Sequence, residues 1–314
     1  YTPTHTLSLH DALPISTAAN ILAEKEVGNS VVLLDVIQGL AEGKSLDIQQ
    51  MGPLALFDTQ TIGVTNDYEA TAGSSVVIIT SGLARKPGMS RDDLLTANAN
   101  IVKTVTENIV KYSPNTIIIV VSNPLDAMSY VAYKTAGIPA EKVMGMAGLL
   151  DTARYKAFLA DALECSVKDI QAVTLGGHGD DMVPLPRYTT LTGVPVNQIL
   201  TEKKIEEIVM RTRKGGGELV NLMGKSAWYA PGYATARMVE ALVRNQKRYF
   251  PCSAYLEGEY GQKDIFFGVP VKLGKGGIED ILEIELNEDE KKLVDISAQS
   301  VRQNIDFLNT LGLW

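Results

Sequence analysis

His178 is the first candidate for chemistry in this sequence, because it is the one histidine outside residues 1–16 and lies between glycines in the segment GGHGDD. Glycines let the chain turn sharply and bring an imidazole to a cleft. An imidazole titrates near neutral pH and can move a proton when a carboxylate orients it. No second histidine or cysteine lies nearby in the sequence, which argues against a metal site. We therefore interpret His178 as a general acid–base; the competing interpretation is a purely structural histidine.

Asp151 and Arg154 can supply the partners that such a histidine needs. They stand three positions apart in the segment LDTAR, within a predicted helix, and residues at that spacing share one helix face. The carboxylate could orient His178, and the guanidinium could bind a substrate carboxylate through two hydrogen bonds. From the spacing alone, an ordinary ion pair on a helix surface is the more common arrangement.

Arg85 and Arg91 lie in the segment ARKPGMSR, which places three cations within seven residues together with a proline and a glycine. This composition is typical of a mobile flap that closes on an anionic substrate. A solvated basic loop has the same composition and is the alternative.

A cofactor site is indicated by Asp35, which closes the predicted strand Ser30–Val36. In a dinucleotide-binding fold, a carboxylate at this point accepts hydrogen bonds from the adenosine ribose and repels a 2′-phosphate, which favours NAD over NADP. A solvated aspartate at a strand end is the alternative.

The glycine-rich GxGxxG loop that such a site normally uses would place its glycines at positions 10, 12 and 15, which hold His10, Ala12 and Ile15. All three positions fall within residues 1–16, which differ in character from the rest of the chain and resemble translated cloning-adapter sequence. We interpret this segment as foreign to the natural protein; the alternative is a genuine first strand near Thr6–Leu9. Side chains at these positions would crowd a pyrophosphate, so NAD binding by the chain as written is in question.

The elements that position these residues alternate between strands and helices along the first half of the chain. The predicted strands are Ser30–Val36, Thr61–Thr65, Ser75–Thr80, Thr116–Val121 and Ile170–Leu175, with β-hairpins over Tyr249–Ile284. The predicted helices are Ala18–Glu26, Gly43–Met51, Asp92–Tyr112, Thr152–Leu163, Lys203–Lys214, Ser226–Arg244 and Asn287–Leu308.

Apolar strands joined by helices predict an α/β fold with a Rossmann-type, doubly wound parallel sheet. We expect this domain to cover residues 1–146 and to be followed by an α+β substrate and catalytic domain over residues 147–314. Ligands of such sheets lie at the carboxyl ends of the strands, where Asp35 and Asn123 are expected.

Bulk composition excludes several classes of function. The chain has 314 residues, 21% of them charged, and a net charge of −8, which argues against a general binder of nucleic acid or of membrane surfaces. Its apolar runs are too short to span a bilayer, and the N-terminus lacks the pattern of a secretory signal. Two cysteines cannot build a disulfide framework, so we expect a cytoplasmic protein.

Five segments in this order resemble the lactate/malate dehydrogenase family, and the resemblance covers nearly all of residues 17–310. They are VVLLDV (31–36), TSGLARKPGMSRDDLL (80–95), VVSNPLD (120–126), GMAGLLDTAR (145–154) and GGHGDDMVPL (176–185). The resemblance implies reversible, NAD-dependent oxidation of malate to oxaloacetate.

The resemblance also implies roles for single residues. His178 would exchange the proton of the substrate hydroxyl, and Asp151 would stabilise the imidazolium. Arg154 would bind the C1 carboxylate, Arg91 would polarise the C2 oxygen, and Arg85 would pair with the distal carboxylate. Asn123 would contact both cofactor and substrate, while Asn98 and Val121 would line the NAD site. The family also implies a homodimer or homotetramer, without a choice between them.

Three alternatives stay open on the sequence alone. The first is a lactate or other 2-hydroxyacid dehydrogenase, against which Arg85 argues. The second is a non-catalytic homologue with impaired cofactor binding, suggested by the missing glycine loop. The third, a glycosidase built on a Rossmann scaffold, is made remote by the LDTAR and GGHGD segments.

Overall fold

Strands and helices alternate along the first half of the chain, as the sequence predicts. The computed structural model describes residues 6–10, 13–83 and 90–314, with side chains from residue 14 onward. The helices are α1 (Leu13–Glu24), α2 (Leu40–Ala55), α3 (Arg91–Tyr112), α4 (Leu125–Ala136), α5 (Gly148–Leu163), α6 (Glu202–Met223), α7 (Tyr229–Val243) and α8 (Glu288–Thr310). The strands are β1 (Thr6–His10), β2 (Ser30–Asp35), β3 (Gln60–Thr65), β4 (Val76–Ile79), β5 (Ile117–Val120), β6 (Val143–Gly145), β7 (Ile170–Gln171), β8 (Thr174–Leu175), β9 (Val183–Pro184), β10 (Thr190–Leu191), β11 (Val194–Pro195), β12 (Arg248–Glu257), β13 (Lys263–Gly274) and β14 (Gly277–Ile281).

The main sheet has nine strands in the order β14-β13-β12-β6-β5-β4-β1-β2-β3. From β3 to β6 all neighbouring strands pair in parallel, and their order is that of a Rossmann fold. Strand order reverses between β1 and β4, and ligands of such sheets bind at that point, beyond the carboxyl ends of the strands. The predicted doubly wound parallel sheet is confirmed.

The second half of the chain packs short antiparallel sheets against helices, which confirms the α+β character expected there. One small sheet pairs β11, β10 and β7, and another pairs β8 with β9. The strands β12, β13 and β14 instead extend the main sheet through an antiparallel contact of Ser253 with Gly145. The sheet therefore runs across the predicted domain boundary, which stays a prediction.

Apolar strands form the core because both faces of the parallel sheet are covered by helices. All four residues of β4 and all four of β5 are buried. A smaller cluster around Tyr155, Leu159 and Ile170 joins α5 to the second half of the chain. This cluster fixes α5, the helix that carries two of the predicted site residues.

Several predicted elements differ from those observed. The predicted strand Ile170–Leu175 is two short strands, β7 and β8, that belong to different sheets. Helix α6 continues to Met223 through three consecutive glycines, beyond the predicted end at Lys214. Helix α4 and strand β6 were not predicted.

Within the described ranges, no helix combines the length and the apolar character that a membrane crossing requires.

Candidate active site

The segment that carries His178 is held in place by close backbone packing. Gly176, which follows β8, has φ of +99°, a conformation that favours glycine. Its N–H donates to the carbonyl of Gly268 on β13 at 2.9 Å. A Cβ atom on Gly177 would lie 2.5 Å from a methyl carbon of Val301 on α8, so a larger residue would displace the segment. The two glycines thus fix where His178 begins.

His178 and Asp151 form a hydrogen-bonded pair. The imidazole Nδ1 lies 2.9 Å from Oδ2 of Asp151, and the carboxylate is 2% exposed while the imidazole is 18% exposed. Because the carboxylate accepts, Nδ1 carries the proton and Nε2 is the ring nitrogen left free to exchange one. The predicted contact between these two side chains is confirmed.

Arg154 completes the cluster on the same helix, three residues after Asp151. Its Nη1 lies 3.3 Å from Oδ1 of Asp151, and its side chain is 12% exposed. The spacing argument predicted that both side chains point into one pocket, and the structure brings them together with His178. The arrangement is therefore more than an ion pair on an exposed helix face.

The charges around the imidazole set its proton affinity. Burial alone would lower the pKa of His178, because a charged imidazolium loses solvation. The charge and hydrogen bond of Asp151, and the charge of Asp126, outweigh burial and the repulsion of Arg154, so the pKa of His178 lies above its usual value. The imidazolium that forms when His178 takes a proton is accordingly stabilised.

Arg91, Asn98 and Asn123 are predicted site residues on helix α3 and in the segment after β5. Arg91 is exposed and is the first residue of α3, directly after the N-cap residue Ser90, which forms a capping box with Asp93. Asn98 is 2% exposed and donates to the carbonyl of Asn123 at 2.7 Å. Its side-chain oxygen accepts the N–H of Leu83 at 2.7 Å.

The amide of Asn98 thus joins Leu83, the last described residue before the predicted flap, to the segment after β5. Asn123 itself is exposed, and Val121 is half-buried at the end of β5. All of these residues lie at the carboxyl edge of the sheet, where the sequence places a ligand. Their contacts with cofactor and substrate stay predictions.

Asp35 fits the adenosine end of a dinucleotide. It ends β2, is 3% exposed, and accepts the main-chain N–H of Ile37 at 2.9 Å. A buried carboxylate at this end of the second strand is the feature that recognises the adenosine ribose. The residues at both ends of the predicted NAD site therefore fit the cofactor.

The pyrophosphate region between those ends departs from the usual pattern. Ile15 lies in the first turn of α1 and is 2% exposed, packed in the main core where the third glycine would stand. Pro14 precedes it and has no N–H, so it removes one of the backbone donors that a helix N-terminus offers to a phosphate. This part of the site fits NAD less well.

Arg85, the predicted partner of the distal carboxylate, lies outside the described residues. Among the residues that the structure describes, no group of three or more His, Cys, Asp or Glu side chains could hold a metal ion. Asp126 has no role predicted from the sequence, yet its carboxylate accepts the main-chain N–H of His178 at 2.8 Å. The feature that could have indicated it is a carboxylate two residues after Asn123-Pro124, beyond the end of a strand.

Comparison with known proteins places this geometry in a family. The model of the lactate/malate dehydrogenase NAD-binding domain matches residues 15–145, and that of the α/β C-terminal domain matches residues 149–310. The chain is 58% identical over 296 residues to a malate dehydrogenase of Cytophaga hutchinsonii, covering 94% of this chain and 95% of that protein. It is 54% identical to one of Salinibacter ruber, covering 94% of each.

Solved structures agree with these matches. The malate dehydrogenase of Salinibacter ruber superimposes with a TM-score of 0.93 at 50% identity, over 98% of both chains. A lactate dehydrogenase of Cryptosporidium parvum, solved with lactic acid and NAD, superimposes with a TM-score of 0.94 at 36% identity, over 98% of this chain and 99% of that one.

A Rossmann sheet whose carboxyl edge carries a carboxylate-oriented histidine and a neighbouring arginine defines a dinucleotide-dependent oxidoreductase that acts on an anionic hydroxyl compound. The chain belongs to the lactate/malate dehydrogenase family.

Proposed function

We propose that the chain catalyses the reversible oxidation of (S)-malate to oxaloacetate, with NAD as the cofactor and His178 as the general acid–base. The observation that carries this proposal is the contact of His178 with Asp151 and of Asp151 with Arg154 at the carboxyl edge of a Rossmann sheet. The relatives that share at least half of the aligned residues are malate dehydrogenases, which supports malate as the substrate.

The proton step follows from the geometry of the imidazole. In oxidation, Nε2 of His178 takes the proton of the C2 hydroxyl, and the resulting imidazolium is stabilised by Asp151. In reduction, the imidazolium returns the proton to the C2 oxygen. NAD, when bound, supplies the hydride acceptor, and Asp35, Asn98, Val121 and Asn123 would hold it.

The arginines give the site its charge. Arg154 binds the C1 carboxylate through two hydrogen bonds, because its guanidinium is planar and lies beside the histidine. Arg91 polarises the C2 oxygen when the flap closes. Arg85 pairs with the distal carboxylate, which malate and oxaloacetate have and which lactate and pyruvate lack.

Parallel assays with oxaloacetate and pyruvate test the substrate. We expect NADH oxidation with oxaloacetate to exceed that with pyruvate by at least about 100-fold in kcat/KM, since an unpaired arginine in a closed site is costly. A preference for pyruvate would indicate the lactate dehydrogenase alternative. Folded protein that turns over neither substrate and binds no NADH would indicate the non-catalytic homologue.

Arg85→Gln tests the origin of that preference. The variant removes the cation and leaves a shorter, neutral polar side chain, so the ratio of oxaloacetate to pyruvate activity should fall on the order of 100-fold. Lys86→Gln is a control that removes a neighbouring charge from the same segment. An unchanged ratio in Arg85→Gln would show that another residue selects the dicarboxylate.

The oligomeric state and the cellular location of the protein are proposed from its family. We expect two or four copies in solution, which the large apolar side chains exposed on and beside α2 and α7, Leu46, Leu54, Leu56 and Tyr229, support. Light scattering during gel filtration measures the mass directly. We also expect the protein in the cytoplasm, and cell fractionation tests that location.

A further inference from the structure

A second carboxylate, Asp126, lies beside the His178 segment and has no part in the proton transfer proposed above. It is the second residue of α4 and is 4% exposed. One carboxylate oxygen accepts the main-chain N–H of His178 at 2.8 Å, and the other accepts the hydroxyl of Ser253 on β12 at 2.6 Å. Burying a carboxylate is costly unless hydrogen bonds and charge compensate it. Its position therefore calls for a physical explanation.

The contacts of Asp126 fix the main chain at the catalytic histidine. The N–H of the preceding residue, Gly177, donates to the hydroxyl of Ser297 on α8 at 2.9 Å. Two consecutive amides are thus held by side chains from two different helices, α4 and α8. A Cβ atom on Gly177 would stand 3.3 Å from Oδ2 of Asp126, so only glycine allows this approach without strain. The direction of the imidazole depends on these two bonds.

Asp126 also contributes charge to the site. Burial raises the pKa of Asp126 above its usual value, and the charge of Asp151 adds to that effect. The hydrogen bonds from Ser253 and His178 and the charge of His178 act in the opposite direction and favour the carboxylate. Its place in the first turn of α4 favours the ionised form further, because the helix dipole is positive there. Both oxygens accept hydrogen bonds, as an ionised carboxylate does. The charged groups that act on the imidazole are then Asp151 and Arg154 from α5 and Asp126 from α4.

We propose that Asp126 is a positioning residue for the reaction: as a buried carboxylate on α4, it holds the main chain of His178 and places a second negative charge beside the imidazolium. Asp151 orients the ring through Nδ1, and Asp126 anchors the backbone from which the ring projects. The inference rests on the proposed acid–base role of His178, but its contacts are present without substrate.

Asp126→Asn separates charge from shape. The side-chain oxygen of asparagine can still accept the N–H of His178, and its NH₂ group can donate to the hydroxyl of Ser253. The titration of His178 is followed by NMR of its ring nitrogens in the full chain without ligand. The chain has three histidines, and the His178→Asn variant assigns the signal.

We expect the pKa of His178 to fall by about 0.5–1 unit in Asp126→Asn, and the pH profile of kcat/KM for oxaloacetate to move to lower pH by the same amount. Glu240→Gln is the matched control: it removes another buried carboxylate, one that pairs with Lys25, which follows α1, and with Arg244, which follows α7. It should leave the titration of His178 unchanged. An unchanged titration in a folded Asp126→Asn protein would overturn the proposal.

A second measurement needs no variant of Asp126. With ¹³C-labelled aspartate, the carboxyl carbon of Asp126 should have the shift of a carboxylate at pH 7 and should show an inflection where His178 titrates. That inflection should vanish in His178→Asn. A protonated carboxyl at pH 7 would overturn the proposal. Because both NMR experiments use the protein without substrate, their outcome is distinct from failure of the proposed activity.

Discussion

At the scale of single residues, the imidazole of His178, which we propose as the general acid–base, should set the pH dependence of the two reaction directions. Reduction of oxaloacetate needs the imidazolium, so its kcat/KM should fall as pH rises through the pKa of His178. Oxidation of malate needs the neutral ring, so its kcat/KM should fall as pH drops below that same pKa. Since Asp151 and Asp126 raise this pKa, reduction should stay active to higher pH than an ordinary histidine would allow. Rate profiles in both directions, fitted to one shared pKa, check this expectation.

Asp151→Asn provides the comparison for that profile. Loss of the carboxylate removes the largest interaction that raises the pKa of His178. The pH profiles of kcat/KM for reduction and for oxidation should both move to lower pH by about 1 unit or more. If only the pH profile for reduction moved, a group other than His178 would control the pH dependence of oxidation.

Replacement of the base itself gives a larger effect. His178→Asn should lower kcat for malate oxidation by on the order of 10²–10⁴-fold, which is the usual contribution of a positioned base. Circular dichroism and the dissociation constant for NADH should stay unchanged, because asparagine keeps a side-chain NH₂ group that can donate to Asp151 in place of Nδ1. Substantial remaining turnover would assign the proton transfer to another residue.

At the scale of elements, the local sequence pattern predicts most of the helices that carry the site. It does not predict which strands pair when they are far apart along the chain. The predicted helix Asp92–Tyr112 is observed as Arg91–Tyr112, because Ser90 and Asp93 form a capping box that the sequence can show. Helix α4 was not predicted, because eight of its twelve residues are buried. A helix buried in this way lacks the separate apolar and polar faces by which a surface helix is recognised in a sequence. Asp126 was overlooked with it.

The predicted end of helix α6 was wrong because of its glycines. Three glycines in a row suggest an end to a helix, yet α6 continues through them. Gly215 is buried against the side chain of Arg154, and a Cβ atom there would lie 2.3 Å from Cδ of Arg154. The sequence cannot show this approach, because α5 and α6 are far apart along the chain and meet only in the fold.

Gly215→Ala should therefore displace Arg154, the residue that we propose to bind the C1 carboxylate of the substrate. The added methyl group displaces the stem of Arg154, and we expect kcat/KM for oxaloacetate to fall about 10–100-fold, mainly through KM. Gly216→Ala is the matched control, since a Cβ atom there meets nothing within 4 Å. It should leave kinetics unchanged and stabilise the helix by up to about 1 kcal/mol. Equal kinetics in both variants would show that Gly215 does not position Arg154.

At the scale of the whole molecule, alternation of apolar strands and helices was enough to predict the Rossmann sheet. That pattern can be read from short segments of the sequence. Because the connection between two parallel strands is almost always right-handed, few other sheet topologies are possible. The contribution of β12, β13 and β14 to the same sheet was not predicted, since their pairing with β6 spans more than one hundred residues. His178, Asp151 and Arg154 were found because glycine context and helix spacing are visible in sequence, whereas their contact distances needed the fold.

The segment before Thr17 should limit how strongly NADH stabilises the whole molecule. A ligand that binds only the folded state adds RT ln(1 + [L]/Kd) to the free energy of unfolding, about 2.7 kcal/mol at one hundred times Kd. We expect NADH to raise the Tm of the present chain only slightly. The triple variant His10→Gly, Ala12→Gly and Ile15→Gly restores the spacing that lets backbone N–H groups reach a pyrophosphate.

The NADH-induced change in Tm is the quantity to compare, and not Tm itself. Ile15 is 2% exposed in the main core, so its removal alone should cost about 2–5 kcal/mol. Ile15→Ala is the control, because it loses similar packing without restoring the glycine spacing. A larger NADH-induced rise in the triple variant than in both other proteins would show that these side chains obstruct the cofactor. Large and equal rises in all three would show that the present N-terminal segment accepts NAD as it stands.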